Sequence, residues 1–192
     1  MSLMDKIRKN KQVKKIIEAG IGKVEYIDTG SYALNILFSG TPLGGIPKGY
    51  ISQIAGISGS GKSMVALKAA KAHQEASEEN IVVWVDSERA MSESVLKNSG
   101  IDGDRLLICQ ENRIEKAMQF VLGACEELDD DEKKKVFIVI DSWNMLVSKK
   151  KLEDSLAGEN TNSVDFSISK LKNDFARLLA GLSPATVLGT IS

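Results

Sequence analysis

Eight consecutive residues, Gly56-Ile57-Ser58-Gly59-Ser60-Gly61-Lys62-Ser63, match the phosphate-binding pattern G-x-x-x-x-G-K-[ST] at every fixed position. Each residue type has a reason to be there. Glycines let the backbone curl until successive N–H groups point at phosphate oxygens, and a helix starting at the loop adds the positive end of its dipole. In this pattern Lys62 reaches the β- and γ-phosphates and the Ser63 hydroxyl holds Mg2+. Gly56, Ser58, Gly59, Ser60, Gly61, Lys62, Ser63 and Met64 are therefore the expected contacts of a nucleoside triphosphate.

Two other stretches put carboxylates within reach of such a ligand. Ile81-Val82-Val83-Trp84-Val85 runs into Asp86-Ser87-Glu88, and Val136-Phe137-Ile138-Val139-Ile140 runs into Asp141-Ser142. Continuous apolar runs of this length read as strands of a parallel sheet covered on both faces. Acids at the carboxyl ends of such strands face the crevice where open α/β sheets bind ligands. Asp141 is placed to orient the Mg2+ shell, directly or through water.

The elements around these residues supply the required frame. Tyr50 to Ala55 is short and β-prone, and Met64 to Ala76 is alanine-rich without Gly or Pro, so strand, loop and helix follow in order. Before them, residues 4–19 read as a basic helix with a thin apolar stripe of Ile7, Val13, Ile16 and Ile17, either a solvated arm or a docking segment. Lys23 to Ile27 alternates like a short strand, and Tyr32 to Phe38 reads as a helical turn packed under the core. Gly40 to Gly49 is a rigid turn. Leu106 to Cys109 is a further strand candidate. The helix from Asn112 carries apolar residues at 114, 117, 118, 121, 125 and 128, with Asn112 and Glu115 as an expected capping box. Asp129 to Lys135 and Val147 to Asn162 read as loops. A last amphipathic helix, from Val164 to Leu182, ends before Pro184, and Thr186 to Ile191 is a final strand.

Composition narrows the class. With 192 residues the chain suits one core, and a net charge of −1 offers no global attraction for nucleic acid, so any such binding is local. Cys109 and Cys125 sit in apolar runs without metal-ligand spacing and read as structural thiols of a reducing compartment. No signal peptide, membrane span or short repeat is evident, so the cytoplasm is the expected location and no membrane partner is expected. The lone His73 reads as structural or exposed.

The ordered set of motifs resembles the RecA family of DNA strand-exchange ATPases, and within it the phage UvsX-type recombinases. Thr29-Gly30-Ser31 with Leu34-Asn35-Ile36 resembles the family's lead-in, and Gly44-Gly45-Ile46-Pro47-Lys48-Gly49 its glycine turn. After the phosphate loop, Val85-Asp86-Ser87-Glu88 is similar to the strand end carrying the family's catalytic glutamate. Ser99-Gly100-Ile101-Asp102, Ile140-Asp141-Ser142 and Ser148-Lys149-Lys150-Lys151 with Glu153-Asp154 continue the match. The likeness spans about residues 26–192. It implies a P-loop NTPase of α/β class: a RecA-like three-layer α/β/α core with a mostly parallel sheet, lacking the C-terminal strands. Residues 1–25 would be a basic arm and 26–192 the ATPase core.

By that resemblance Glu88, with Lys62, is the catalytic group. It would activate the water attacking the γ-phosphate from the end of a strand beside the phosphate-loop strand, with Asp86 as its competitor. Lys149, Lys150 and Lys151 are candidate contacts for single-stranded DNA, although they read equally as a solvated loop. ATP and Mg2+ are the implied ligands, and self-association into a filament or ring is implied as well. The setting would be a bacterial or phage-infected cell. Where the family places a Gln or His at the end of the last strand, this chain has Thr190 and Ser192, and Val95 stands where bacterial relatives carry an adenine-stacking tyrosine. The second DNA loop is expected to lie beyond Ser192, leaving a C-terminally shortened core with an exposed sheet edge. Two functions follow: a DNA-dependent recombinase ATPase, or an assembly or regulatory module that binds nucleotide without turnover. A small-molecule kinase is the weakest fit, because Arg177 alone lies between Asp141 and Ser192 and a lid needs several arginines.

Overall fold

A computed structural model describes residues 3–11, 24–156 and 166–191. Its centre is a five-stranded sheet made of β3 (Ile51–Ala55), β4 (Ile81–Asp86), β5 (Leu106–Cys109), β6 (Val136–Asp141) and β7 (Thr186–Ile191). The order is β3-β7-β6-β4-β5, and every pairing is parallel. Parallel strands need crossover connections, and the chain supplies helices for them. These are α3 (Lys62–Ala76), α4 (Glu93–Ser99), α5 (Ile114–Cys125) and α8 (Phe166–Gly181).

The buried strands alternate between two cores. Val83, Val85, Ile138, Ile140 and Val187 face α5 and α8, where Ile114, Ala117, Val121, Phe175 and Leu179 meet them. Val82, Trp84, Phe137, Val139 and Leu188 face α3. There the helix offers Ala66, Ala69 and Ala70, all fully buried, so its backbone lies close to the sheet. This is the three-layer α/β/α arrangement expected from the strand patterns.

A second small sheet pairs β1 (Tyr26–Ile27) with β2 (Ile46–Pro47) in antiparallel fashion. Between them α2 (Tyr32–Ser39) is fastened by one buried side chain. Asn35 accepts from the Thr29 amide and hydroxyl, and donates to Asp28 and to the Pro42 carbonyl. Gly45, at φ 142°, could not be another residue without moving backbone, because a Cβ there would stand 2.0 Å from the Ile27 carbonyl oxygen.

Several local expectations need correction. The Tyr32–Phe38 segment is helical, but only part of it packs on the core: Phe38 does, whereas Tyr32 is 72% and Leu37 80% exposed. The expected capping box at Asn112 is not formed. Arg113 is the N-cap of α5 and makes no side-chain cap. Glu115 instead accepts from the Lys149 amide, and a parallel bridge joins Arg113 to Val147. A capping box does form where a loop was expected, with Asp129 and Glu132 opening α6 (Asp130–Lys133). Three acidic residues on the first turn of that helix favour it through the dipole. The Val147–Asn162 segment is likewise not all loop, since Lys149–Leu156 is α7. Of the expected basic helix over residues 4–19, α1 (Leu3–Arg8) is seen and residues 12–23 lie outside the described ones, as does Val164. Among the described residues no helix is long and apolar enough to cross a membrane.

Candidate functional site

Between β3 and α3 the chain turns through the glycine-rich loop. Gly59 and Gly61 hold left-handed φ values of 77° and 91°, and a Cβ on either would meet nothing within 4 Å. Glycine is needed at both for backbone conformation alone, and the space above them is open. Gly61 caps α3, so the helix amides begin at Lys62. The Lys62 ammonium donates to the carbonyls of Gly56 (2.7 Å) and Ile57 (3.0 Å), which anchors it inside the loop.

A cavity of about 260 Å3 opens over this loop, and its lining is the central observation. Ser58, Gly59, Gly61, Lys62, Ser63 and Met64 come from the loop and helix start, Glu88 from beyond β4, and Asp141 from the end of β6. Three sites named from separate stretches of sequence thus share one hollow at the carboxyl ends of the strands. Gly56 and Ser60 belong to the same loop but do not line the hollow; a Cβ on Gly56 would stand 2.8 Å from the Ser60 hydroxyl. Glu88 is not on the strand beside β3, as expected; β7 and β6 lie between β3 and β4. It nevertheless lines the same hollow as the loop, from the turn that follows β4.

The donor set fits a magnesium–nucleotide complex. No group of three or more His, Cys, Asp or Glu among the described residues could hold a metal by itself. Ser63 and Asp141, both lining the hollow, fit the sparse protein ligand set that Mg2+ takes when phosphates and water complete its shell.

The strand ends are joined by hydrogen bonds that the residue patterns did not foretell. The Thr190 hydroxyl of β7 donates to Asp141 Oδ1, which ties the carboxylate of β6 to the neighbouring strand end. Ser87 Oγ donates to the Ser142 carbonyl (2.7 Å) and accepts from the Ser142 amide (2.8 Å). Ser142 Oγ donates to Glu88 Oε1 at 2.7 Å. Asp86, the competitor of Glu88, is 1% exposed and points elsewhere. Its carboxylate accepts from the amides of Ala90 and Met91 and from the Gln110 side chain of the neighbouring strand end. Asp86 clamps a turn, and Glu88 faces the hollow. Small hydroxyl residues at strand ends were the available signal, but serine and threonine are too common there to stand out.

The basic residues lie apart from this hollow. Lys149, Lys150 and Lys151 are exposed on α7, and Lys149 pairs with Glu153 at 3.6 Å. Lys172 of α8, not foreseen from sequence, joins them: burial pushes its ammonium pKa down, and the nearby charge of Lys151 adds to the shift. His73 is buried against Phe137 with Nε2 2.9 Å from the Lys135 carbonyl, which makes it structural. Burial lowers its pKa to about 4. Both cysteines are free thiols, and burial raises the pKa of each.

Residues 1–179 match the family described as RecA N-terminal domain. The chain is 34% identical to Protein RecA of Aquifex pyrophilus over 78% of this chain and 41% of that protein. It is 34% identical to Protein RecA of Bacteroides thetaiotaomicron, covering 82% and 45% respectively. With Protein RecA of Synechocystis sp. the identity is 32%, covering 80% and 40%. The chain thus spans roughly two fifths of the length of these curated relatives. It belongs to the RecA family.

Proposed function

From membership of the RecA family and the shape of the hollow, we propose that this chain binds Mg·ATP and hydrolyses it as part of a DNA strand-exchange recombinase. The single observation that carries the reading is the lining of one cavity by the phosphate loop, Glu88 and Asp141 together. The loop amides and Lys62 hold the phosphates. Ser63 and Asp141 hold Mg2+, which when bound neutralises charge on the phosphate oxygens. Glu88 orients a water and accepts its proton as the water oxygen bonds to the γ-phosphorus. The bond from that phosphorus to the β,γ-bridging oxygen breaks, and ADP leaves with its electron pair. Asp86 does not compete for this role, because its carboxylate is occupied by backbone amides and Gln110. A general base of this kind contributes roughly 10²–10⁴ in rate.

Single-stranded DNA is the proposed partner of Lys149, Lys150 and Lys151, with Lys172 beside them. Each phosphate neutralised there releases counterions and makes binding salt-dependent. Self-association into a filament or ring follows from the same reading, with residues 1–25 as the docking arm and residues from 26 onward as the ATPase core. We propose the phage UvsX-type branch within the family, with the cytoplasm of a bacterial or phage-infected cell as the setting. The support is the Ser148-Lys149-Lys150-Lys151 run with Glu153-Asp154, and Val95 in the place of a tyrosine. Calorimetry with Mg·ATP and phosphate release with and without single-stranded DNA test the reading. Heat of binding together with DNA-stimulated release is expected. Binding with release at background would assign a nucleotide-dependent assembly module, and no heat at all would end the proposal.

A further inference from the structure

A glutamate at an exposed turn has three side-chain torsions, and an active base needs its carboxylate held in one place. Two devices around Glu88 do this. The first acts on backbone. Asp86 accepts from the amides of Ala90 (3.1 Å) and Met91 (2.8 Å), and the turn it closes holds Arg89 at φ 54°. A non-glycine residue visits that region rarely and keeps it only when its surroundings fix it.

The second device acts on the side chain itself. Ser142 is fully buried, whereas Glu88 is exposed, so the serine is the rigid partner. Its backbone is tied on both sides to Ser87: its amide donates to Ser87 Oγ, and its carbonyl accepts from the same hydroxyl. The Ser87 amide in turn donates to the Asp141 carbonyl at 2.9 Å. The ends of β4 and β6 are thereby closed into a ring, and from that ring Ser142 Oγ donates to Glu88 Oε1 at 2.7 Å. A hydrogen bond to a charged acceptor is among the stronger ones available.

We propose that Ser142 is a positioning residue for Glu88. It holds one carboxylate oxygen, Oε1, so that the other is left to meet the attacking water. This rests on the reading of Glu88 as the base. Ser142→Ala removes the hydroxyl and leaves the backbone ring with Ser87 intact. Glu88 is exposed enough for water to replace the missing donor, so the variant is expected to fold. The expected result is a kcat for phosphate release lower by roughly 10- to 100-fold, with KM and the Mg·ATP Kd unchanged. Ser142→Thr, which keeps the hydroxyl, restores part of the loss. In a Glu88→Gln background, Ser142→Ala adds no further loss, because it acts through the same group. Wild-type kcat in Ser142→Ala overturns the proposal, as does a full additional loss in the Glu88→Gln background. If wild type itself releases no phosphate, the ATPase reading falls, and crystal structures of wild type and Ser142→Ala decide the positioning role. One Glu88 rotamer in wild type and several in the variant support it. The same single rotamer in both overturns it.

Discussion

The two ends of the central sheet carry cavities of opposite character. At the amino ends of the strands lies the larger one, about 670 Å3, lined by Lys48, Lys134 and Lys135 among others. Each of these lysines already faces a carboxylate: Glu25 at 3.1 Å, Asp131 at 2.7 Å and Glu79 at 2.6 Å respectively. Its charges are satisfied at the surface, where such pairs contribute little. At the carboxyl ends the hollow is less than half that size, about 260 Å3, yet its groups converge. Loop amides and a lysine come from one side, and acids from two strands from the other. On the proposed reading, the smaller hollow holds the chemistry because phosphate-loop and acidic residues line it together. Parallel strands explain the asymmetry, since every strand here ends at the same pole and each following loop begins there.

Mutations at the two ends should separate them sharply. Glu88→Gln gives the largest effect: turnover falls roughly 10²- to 10⁴-fold, while calorimetry shows Mg·ATP binding retained. An equal loss of binding would mean that Glu88 holds the ligand and does not act on water.

The amino end should instead be sensitive to pH. Buried His73 is 1% exposed, and its Nδ1 has no hydrogen-bond partner among the described residues. Its pKa is lowered by burial from 6.5 to about 4, so the folded state disfavours the proton that the unfolded chain accepts. Stability is full above pH 6.5 and is lost as pH falls from there towards 4, by about 3 kcal/mol in all. Urea unfolding across that window should show the slope in wild type. In His73→Leu the slope between pH 6.5 and about 5 should be lost, leaving only the carboxylate-dependent fall nearer pH 4.

Lys62→Ala should weaken Mg·ATP binding roughly a hundredfold by calorimetry, as expected for removing a charged donor to phosphate. The triple variant Lys48→Ala, Lys134→Ala, Lys135→Ala is the control at the other pole. It should leave that affinity within about twofold and the urea midpoint nearly unchanged, because exposed pairs contribute little. A large loss of nucleotide affinity in the triple variant would break the comparison.

The smallest effect belongs to α7. Replacing Lys149, Lys150 and Lys151 by alanine should weaken single-stranded DNA binding about tenfold at moderate salt. The slope of log affinity against log salt should fall by about 2, near 0.7 for each phosphate no longer neutralised. An unchanged slope would return these lysines to an ordinary solvated helix face.

How far the sequence carried can be judged residue by residue. The phosphate loop, the helix behind it and the buried strands ending in Asp86 and Asp141 were legible, because each depends on neighbours within a few positions. Local signals misled where two of them competed. Asn112 and Glu115 have capping-box spacing, but Glu115 satisfies the Lys149 amide, a partner 34 residues away. Asp129 to Lys135 looked like a solvated charge run, yet Asp129 and Glu132 cap a short helix in it. Tyr32 to Phe38 has a helix's apolar content, yet Tyr32, Ile36 and Leu37 stay exposed, and the segment is held by Phe38 against the core and by buried Asn35.

The sequence alone named candidates: residue type and local spacing pointed to the phosphate and metal residues, and the family resemblance pointed to Glu88 for water. Tertiary structure decided which of them share one hollow. The order β3-β7-β6-β4-β5 sets two strands between the loop strand and the strand of Glu88, and no local pattern encodes it. It also joined Ser142 to Glu88 across 54 positions and Thr190 to Asp141 across 49. Hydrogen bonds between side chains so distant along the chain exist only once the strands between them have packed, because loop closure must be met before such bonds can form.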